Sequence, residues 1–289
     1  MNFLLYWFGR VFISVVQSLP LNLVARLGRI GGGLAYHLDP KHRRIVLANL
    51  NGAFGKEKSP TEIDVIAREN FKRIGENYIC AVKTAAMSFE ALRPHVEFTG
   101  LEHFPQSRPE GSTVNSVVGI GHFGNFEMYA RLGEAIPYPN VATTYRGIKQ
   151  PALDRLLQRV RGQNSCQFFE RRADGEALRA LLNRGGLILG LLADQSSRGL
   201  RAPFLGRGCS TGLAPAILAL RYKAVFSTGV CYRVGLAKWR IDFGKPIPTQ
   251  VDGQARTTED LIREMNRELE IAVRRDPANW FWVHRRWKD

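Results

Sequence analysis

Apolar positions along the chain follow two regimes. In the first third they recur at helical spacing; from about residue 114 onward, short apolar runs alternate with amphipathic stretches. Leu4, Trp7, Phe8, Val11, Phe12, Val15, Val16 and Leu19 share one side of a helix and leave Arg10, Ser14 and Gln17 on another. The basic-then-apolar run 41–50 predicts a helix starting near Pro40. Ser59-Pro60-Thr61-Glu62 carries the start signals of another, running to about Thr84. Residues 114–120 read as a buried strand, and 141–145, 187–193, 224–232 and 239–243 are further strand candidates. Between or around them, 151–161, 174–183, 213–223 and 258–274 read as helices. Strands alternating with helices predict an α/β sandwich around a central, largely parallel mixed sheet flanked by helices. The segment 105–111 reads as a loop rather than a domain boundary, and there is no internal repeat or low-complexity tract.

The stretch 3–24 is mostly apolar and aromatic, interrupted by Arg10, Ser14, Gln17, Ser18 and Pro20. It has neither a positive segment ahead of the apolar part nor a small-residue cleavage site, which argues against a signal peptide. Its length is marginal for a bilayer span, and Arg10 near its middle would be costly in hydrocarbon. A helix lying in the membrane interface, or a short anchor, fits the pattern better. An amphipathic helix packed on the protein's own core is the alternative. The expected organisation is a membrane-associating helix over 1–27 and one folded domain over 28–289.

Charge narrows the partners. Lys and Arg number 41 against 26 for Asp and Glu, a net +15 with a pI near 10.1. Such a balance favours a polyanion: nucleic acid, an anionic membrane face, a phosphorylated lipid or an acidic carrier protein. No zinc-finger spacing, RNP-like aromatic motif or helix-turn-helix accompanies it, so lipid stands ahead of nucleic acid. Cys80, Cys166, Cys209 and Cys231 are far apart and form no C-x-x-C pair; they read as buried free thiols.

The chemistry concentrates in Gly121-His122-Phe123-Gly124-Asn125-Phe126-Glu127. His122 follows the strand 114–120, and Glu127 falls in the first turn of whatever follows. Within one continuous helix, five residues would put the two side chains on nearly opposite sides, at about 100° per residue. For them to meet the chain must turn between them, and Gly121 and Gly124 supply that freedom. An imidazole with one nitrogen held by a carboxylate is a general base with its tautomer fixed. The plainer reading is a strand-end histidine satisfied by its neighbours and a glutamate favoured by a helix start. The H-x4-E spacing is unlike H-E-x-x-H, so the stretch implies no metal.

This stretch resembles the H-x4-E signature of the late acyltransferases of lipid A biosynthesis, the lauroyl and myristoyl transferases. The pieces Tyr145-Arg146, Arg161-Gly162, Ala193-Asp194-Gln195, Pro203-Phe204-Leu205-Gly206 and the tail from Trp280 to Trp287 follow in the order that family shows. Two departures are visible: the segment 51–55 lacks the proline-acid pair usual after Phe54, and Gln150 replaces a common asparagine. The resemblance implies a glycerolipid-acyltransferase-like fold and an enzyme moving a fatty acyl chain onto a hydroxyl of a lipid A precursor. The donor it implies is an acyl-carrier-protein thioester, with acyl-CoA also compatible, and no further cofactor. It implies a place at the cytoplasmic face of the inner membrane, His122 as base and Glu127 as its orienting acid. Arg146, Arg161, Asp194 and Gln195 are the substrate-binding candidates, and Arg171, Arg172, Arg198 and Arg201 add to a basic rim.

Several of these residues carry a second reading from the sequence alone. Arg146 would stand at the sheet edge beside His122 if the sheet is parallel, or be a solvated arginine. Asp194 ends an apolar strand and would equally cap residues 196–199 or pair with an arginine. Trp280, Phe281, Trp282 and Trp287, mixed with His284, Arg285, Arg286 and Lys288, read as an interfacial belt or as core, with core favoured for at least two of the four. A lysophospholipid or glycosylated lipid would serve as acceptor under the same chemistry. A non-catalytic protein that binds anionic lipid is the alternative of another class. Acyl-chain length depends on the depth of an apolar pocket whose floor the sequence does not identify.

Overall fold

Among the described residues, five α-helices precede the first strand, the first four of them long. The computed structural model describes residues 2–105, 114–136, 140–162 and 165–287. α1 (Asn2–Ser18) and α2 (Leu21–Leu38) are separated at Pro20, whose extended backbone and missing N–H end one helix and start the next. α3 (Pro40–Phe54) begins at Asp39, whose carboxylate accepts the His42 N–H. α4 (Pro60–Ala85) begins at the expected place, with Ser59 and Glu62 closing a reciprocal capping box. The expected division between residues 27 and 28 falls inside α2.

α5 (Phe89–Leu92) leads to β1 (Val96–Thr99), and β2 (Ser116–Ile120) follows; most of the loop expected at 105–111 lies outside the described residues. A 3₁₀ segment, Phe126–Arg131, runs into α6 (Leu132–Ala135). Then come β3 (Asn140–Tyr145), α7 (Pro151–Arg161), β4 (Gln167–Glu170), α8 (Gly175–Arg184) and β5 (Leu187–Leu192). The hairpin β6 (Leu200–Phe204) and β7 (Arg207–Thr211) precedes α9 (Ala214–Arg221), β8 (Val225–Gly235) and β9 (Lys238–Phe243). A small hairpin, β10 (Gln250–Val251) and β11 (Gln254–Ala255), and the long α10 (Thr258–Arg275) complete the series.

Seven strands form one sheet in the order β1-β9-β8-β2-β5-β3-β4. β8, β2, β5, β3 and β4 run parallel, while β8 and β9 pair antiparallel, so the sheet is mixed and mostly parallel, as expected. Its central strands are apolar on both faces, the mark of a sheet covered on both sides. One face packs Val117, Leu189 and Leu191 against α9 and α10; the other packs Val118, Ile120 and Ile188 against the segment 126–132.

One contact sets the first helices against each other and a second sets them against the sheet. Gly28 lets α2 approach α4 closely: a Cβ there would stand 2.7 Å from the Gly75 carbonyl oxygen. The fully buried carboxylate of Glu76 on α4 accepts from Arg233 Nε at 2.7 Å, Arg29 Nη1 at 3.3 Å and the Ala237 N–H at 2.9 Å. The buried charge is thus paired and hydrogen-bonded, the condition under which it does not destabilise the fold.

The outer face of α1 is unusual. Phe3, Leu4, Trp7, Phe8, Val11, Phe12 and Val15 are exposed and, among the described residues of the helix, only Val16 is buried, so this helix does not pack its apolar side on the core. α2 continues the pattern with an exposed stripe of Leu23, Leu27, Ile30, Leu34 and Leu38. Among the described residues no helix is long and apolar enough to cross a membrane.

Candidate active site

The C-terminal ends of β2 and β5 carry the site. Ile120 and Leu192 are register partners in the parallel pair, and the Ala193 N–H donates to the Ile120 carbonyl at 2.9 Å. Two residues further on each strand stand His122 and Asp194, so the register itself brings them opposite one another. His122 donates its backbone N–H to Asp194 Oδ2 and its ring Nδ1–H to Oδ1, each at 2.7 Å. Trp280 Nε1–H adds a third donor, to Oδ2 at 2.7 Å. Gly121 is needed for this approach, since a Cβ there would meet Phe123 Cδ2 at 2.6 Å and Asp194 Oδ2 at 3.2 Å.

The electrostatics favour an ionised Asp194. The carboxylate is 1 % exposed, and burial alone pushes its pKa up; the neighbouring His122 and the three hydrogen bonds outweigh burial and hold it below the ordinary carboxylate range. With Nδ1 donating, Nε2 carries the lone pair. It faces the Gln195 side-chain amide at 3.3 Å. The ring is packed edge-on by Phe126 at 4.9 Å and stacked by Phe281 at 5.9 Å, which leaves its side chain 14 % exposed.

The expected pairing of His122 with Glu127 is therefore not the one formed. The strand extension gives Nδ1 to Asp194, while the Glu127 carboxylate is gripped by Arg161, Nη2 to Oε1 at 2.5 Å and Nε to Oε2 at 3.2 Å. Arg161 ends α7 and lies over the rings of Phe168 and Tyr145. Asp194 neither caps residues 196–199 nor pairs with an arginine, because its two oxygens are taken by His122 and Trp280. Arg146 is not beside His122 either: β5 lies between β2 and β3, which puts Arg146 one strand farther out, exposed at the rim.

All of this opens into one cavity of about 1110 Å³. His122, Glu127, Arg161 and Gln195 are in its wall, and Arg146, Arg171 and Arg198 stand around it; Arg172 and Arg201 are exposed outside its lining. Most of the remaining wall is apolar, including Val118, Ile120, Val141, Phe168 and Ile188. Among the described residues no group of three or more His, Cys, Asp or Glu side chains gathers as a metal site.

The segment 279–286 closes the site from behind. Phe123 and Trp280 form an isolated antiparallel bridge, and Gly124, with φ of +51°, donates its N–H to the Asn279 carbonyl at 3.1 Å. His284 Nε2 accepts the Ser196 N–H at 3.1 Å. Buried Arg286 donates Nη1 to the carbonyls of Gln195 at 2.9 Å and Ser210 at 2.8 Å, and Nη2 to Thr211 Oγ1 at 2.7 Å. Trp280 and Trp282 are core residues, while Phe281 and Trp287 are partly exposed. The tail was legible as aromatic core; its role in holding Asp194 and the 194–196 turn was not, because a lone tryptophan carries no signal of its hydrogen-bond partner.

A polarised imidazole facing an apolar cavity suits proton removal from a hydroxyl near a lipid tail. A family model described as bacterial lipid A biosynthesis acyltransferase matches the chain over residues 1–289. The search of curated proteins found no relative that matches.

Proposed function

The chain belongs to the bacterial lipid A biosynthesis acyltransferase family, and from that premise we propose that it moves a fatty acyl chain from an acyl-carrier-protein thioester to a hydroxyl of a lipid A precursor, with His122 as general base. The observation that carries this reading is the His122 imidazole, fixed at Nδ1 by a buried carboxylate and open at Nε2 to the cavity.

In the proposed step, the acceptor hydroxyl displaces the Gln195 amide from Nε2 and gives up its proton there as its oxygen attacks the thioester carbonyl. Asp194 stabilises the imidazolium that forms. The C–S bond then breaks, and the departing thiolate takes the proton back from Nε2. The thioester is already activated, and the motif 121–127 offers no serine or cysteine, so the reading needs no acyl-enzyme. Arg161, held in the same wall by Glu127, is the candidate to donate hydrogen bonds to the carbonyl oxygen as it becomes negative. Arg146, Arg171 and Arg198 suit the acceptor's phosphates and an acidic carrier protein.

The exposed apolar stripes of α1 and α2 support docking on a membrane surface, and the cytoplasmic face of the inner membrane is the one this reading assigns. The test is acyl transfer with purified protein, a series of acyl-carrier-protein thioesters and a tetra-acylated lipid A precursor, read by product mass. A product one or two acyl chains heavier that disappears in His122→Ala supports the reading. Acylation of lysophospholipid alone would overturn the acceptor, and transfer by His122→Ala at the wild-type rate would overturn the mechanism.

A further inference from the structure

Gly190 sits in the middle of β5, a central strand of the sheet. A glycine there weakens a strand and ordinarily marks a bulge or the close approach of another backbone. Neither applies at this position. β5 pairs with β2 and β3 in unbroken register on both sides, with Val118 and Thr143 as the partners of Gly190. A Cβ at 190 would meet only Ile120 Cδ1 at 3.4 Å and Ala142 O at 3.9 Å, ordinary contacts. The neighbouring strands differ: a Cβ at Gly119 would stand 2.6 Å from Met265 Sδ, and one at Gly229 3.1 Å from Ile120 Cγ2. Gly190 is thus a strand glycine whose missing side chain leaves open space.

That space belongs to the active-site cavity. Its lining includes Gly190 together with Val118, Ile120, Val141, Ile188 and Cys166, on the sheet face covered by the segment 126–132. Gly190 lies level with Val118, four residues before His122, or about 13 Å down the strand at ~3.3 Å per residue. Ile188, two residues further along, closes the same track about 20 Å from His122.

We propose that Gly190 sets how long a fatty acyl chain this enzyme accepts, by leaving the floor of the cavity open to the hydrocarbon. The inference rests on the acyl-transfer reading: with the reacting carbonyl at His122 Nε2, the chain runs down this sheet face, crosses Gly190 and ends against Ile188. A side chain at 190 shortens the track and excludes the last methylenes, each worth about fourfold in binding. Truncating Ile188 lengthens it.

The experiment compares wild type, Gly190→Ala, Gly190→Val and Ile188→Ala, with urea midpoints as the check on folding. One arm measures kcat/KM for acyl-carrier-protein thioesters of increasing chain length. A second arm, independent of turnover, measures displacement of a fluorescent fatty acid by saturated fatty acids of the same lengths. Gly190→Val should lose at least tenfold in kcat/KM on the longest good donor, keep the short ones within a few fold, and show the same shift in displacement. Ile188→Ala should move both profiles to longer chains, which keeps the test decisive if Gly190→Val does not fold. Unchanged profiles in folded variants would overturn the proposal, as would an unchanged donor profile with a raised KM for the acceptor. A wild type that transfers nothing while its displacement profile moves with these substitutions would sink the transfer reading and leave the assignment of the floor standing.

Discussion

His122 gives two hydrogens to one carboxylate: its backbone N–H reaches Asp194 Oδ2 and its ring Nδ1–H reaches Oδ1, both at 2.7 Å. The pair is fixed by strand register and not by side-chain reach alone. Asp194→Asn offers one acceptor and one amide in place of two acceptors, so one of the two donors from His122 loses its partner or the ring takes the other tautomer, with its proton on Nε2. In the second case the base is lost outright, and in either case the imidazolium loses the negative charge that stabilises it. The expected result is a fall in kcat on the order of 10³-fold or more with KM little changed, measured by steady-state transfer. A variant within threefold of wild type would remove Asp194 from the mechanism.

Glu127 and Arg161 form a two-point ion pair in the cavity wall. Each single alanine substitution leaves an unpartnered charge, whereas the double substitution leaves none. The cycle of Glu127→Ala and Arg161→Ala should therefore be non-additive, with a coupling of about 1–3 kcal/mol in transition-state free energy. If the two effects simply add, Glu127 acts on something other than Arg161.

Trp280 holds the same carboxylate from the tail. Trp280→Phe keeps a ring among Phe204, Trp282 and Trp287 but removes a hydrogen bond to a buried charge, a cost of about 1.5–3 kcal/mol at neutral pH. The sign with pH follows from Asp194, whose folded-state pKa lies below its ordinary value. The stabilisation is complete above the ordinary carboxylate pKa of about 3.9 and is lost as pH falls through the lower folded-state value. Urea midpoints of the two proteins should thus differ at neutral pH and converge in strong acid. A gap that widens with acidification would contradict the assignment.

All four cysteines are buried, and burial pushes the Cys80 and Cys166 thiols up to about 12. The thiolate is the reactive species, so native protein at slightly alkaline pH should resist iodoacetamide and take up four labels only after denaturation. Rapid native labelling of Cys166 would mean that its side of the cavity opens.

Gly28 is a close approach of α2 to α4. Gly28→Ala should lower the unfolding free energy by about 1–3 kcal/mol, read by urea denaturation, despite alanine's better helix propensity. A stabilised variant would show that the two helices part freely.

The elements of this fold follow closely from apolar periodicity and caps. α7, α10 and the capping box before α4 stand where the residues put them, because Pro, Ser and Glu act on backbone groups within a few positions. His122 at a strand end was legible for the same reason. Its partner was not. Nothing local in residues 187–193 tells that β5 lies beside β2 with Leu192 level with Ile120, and one strand order decides between Asp194 and Arg146 as the neighbour of His122. Glu127, five residues away, looked closer in sequence than it is in chemistry. The short strands β1 and β4 and the β6–β7 hairpin also escaped notice, being four or five residues long and weakly alternating.

The site draws on residues separated by long stretches of chain: Asp194 meets Trp280 across 86 positions, and the Gln195 carbonyl meets Arg286 across 91. During synthesis the His122 segment leaves the ribosome well before the tail that secures it exists. Until Trp280 and Arg286 emerge, the Asp194 carboxylate lacks its third donor and the Gln195 carbonyl lacks its arginine. On the proposed mechanism the site is complete only once the tail has been made, and a polypeptide cut short ahead of residue 280 is expected to lose activity even with its 121–127 motif intact.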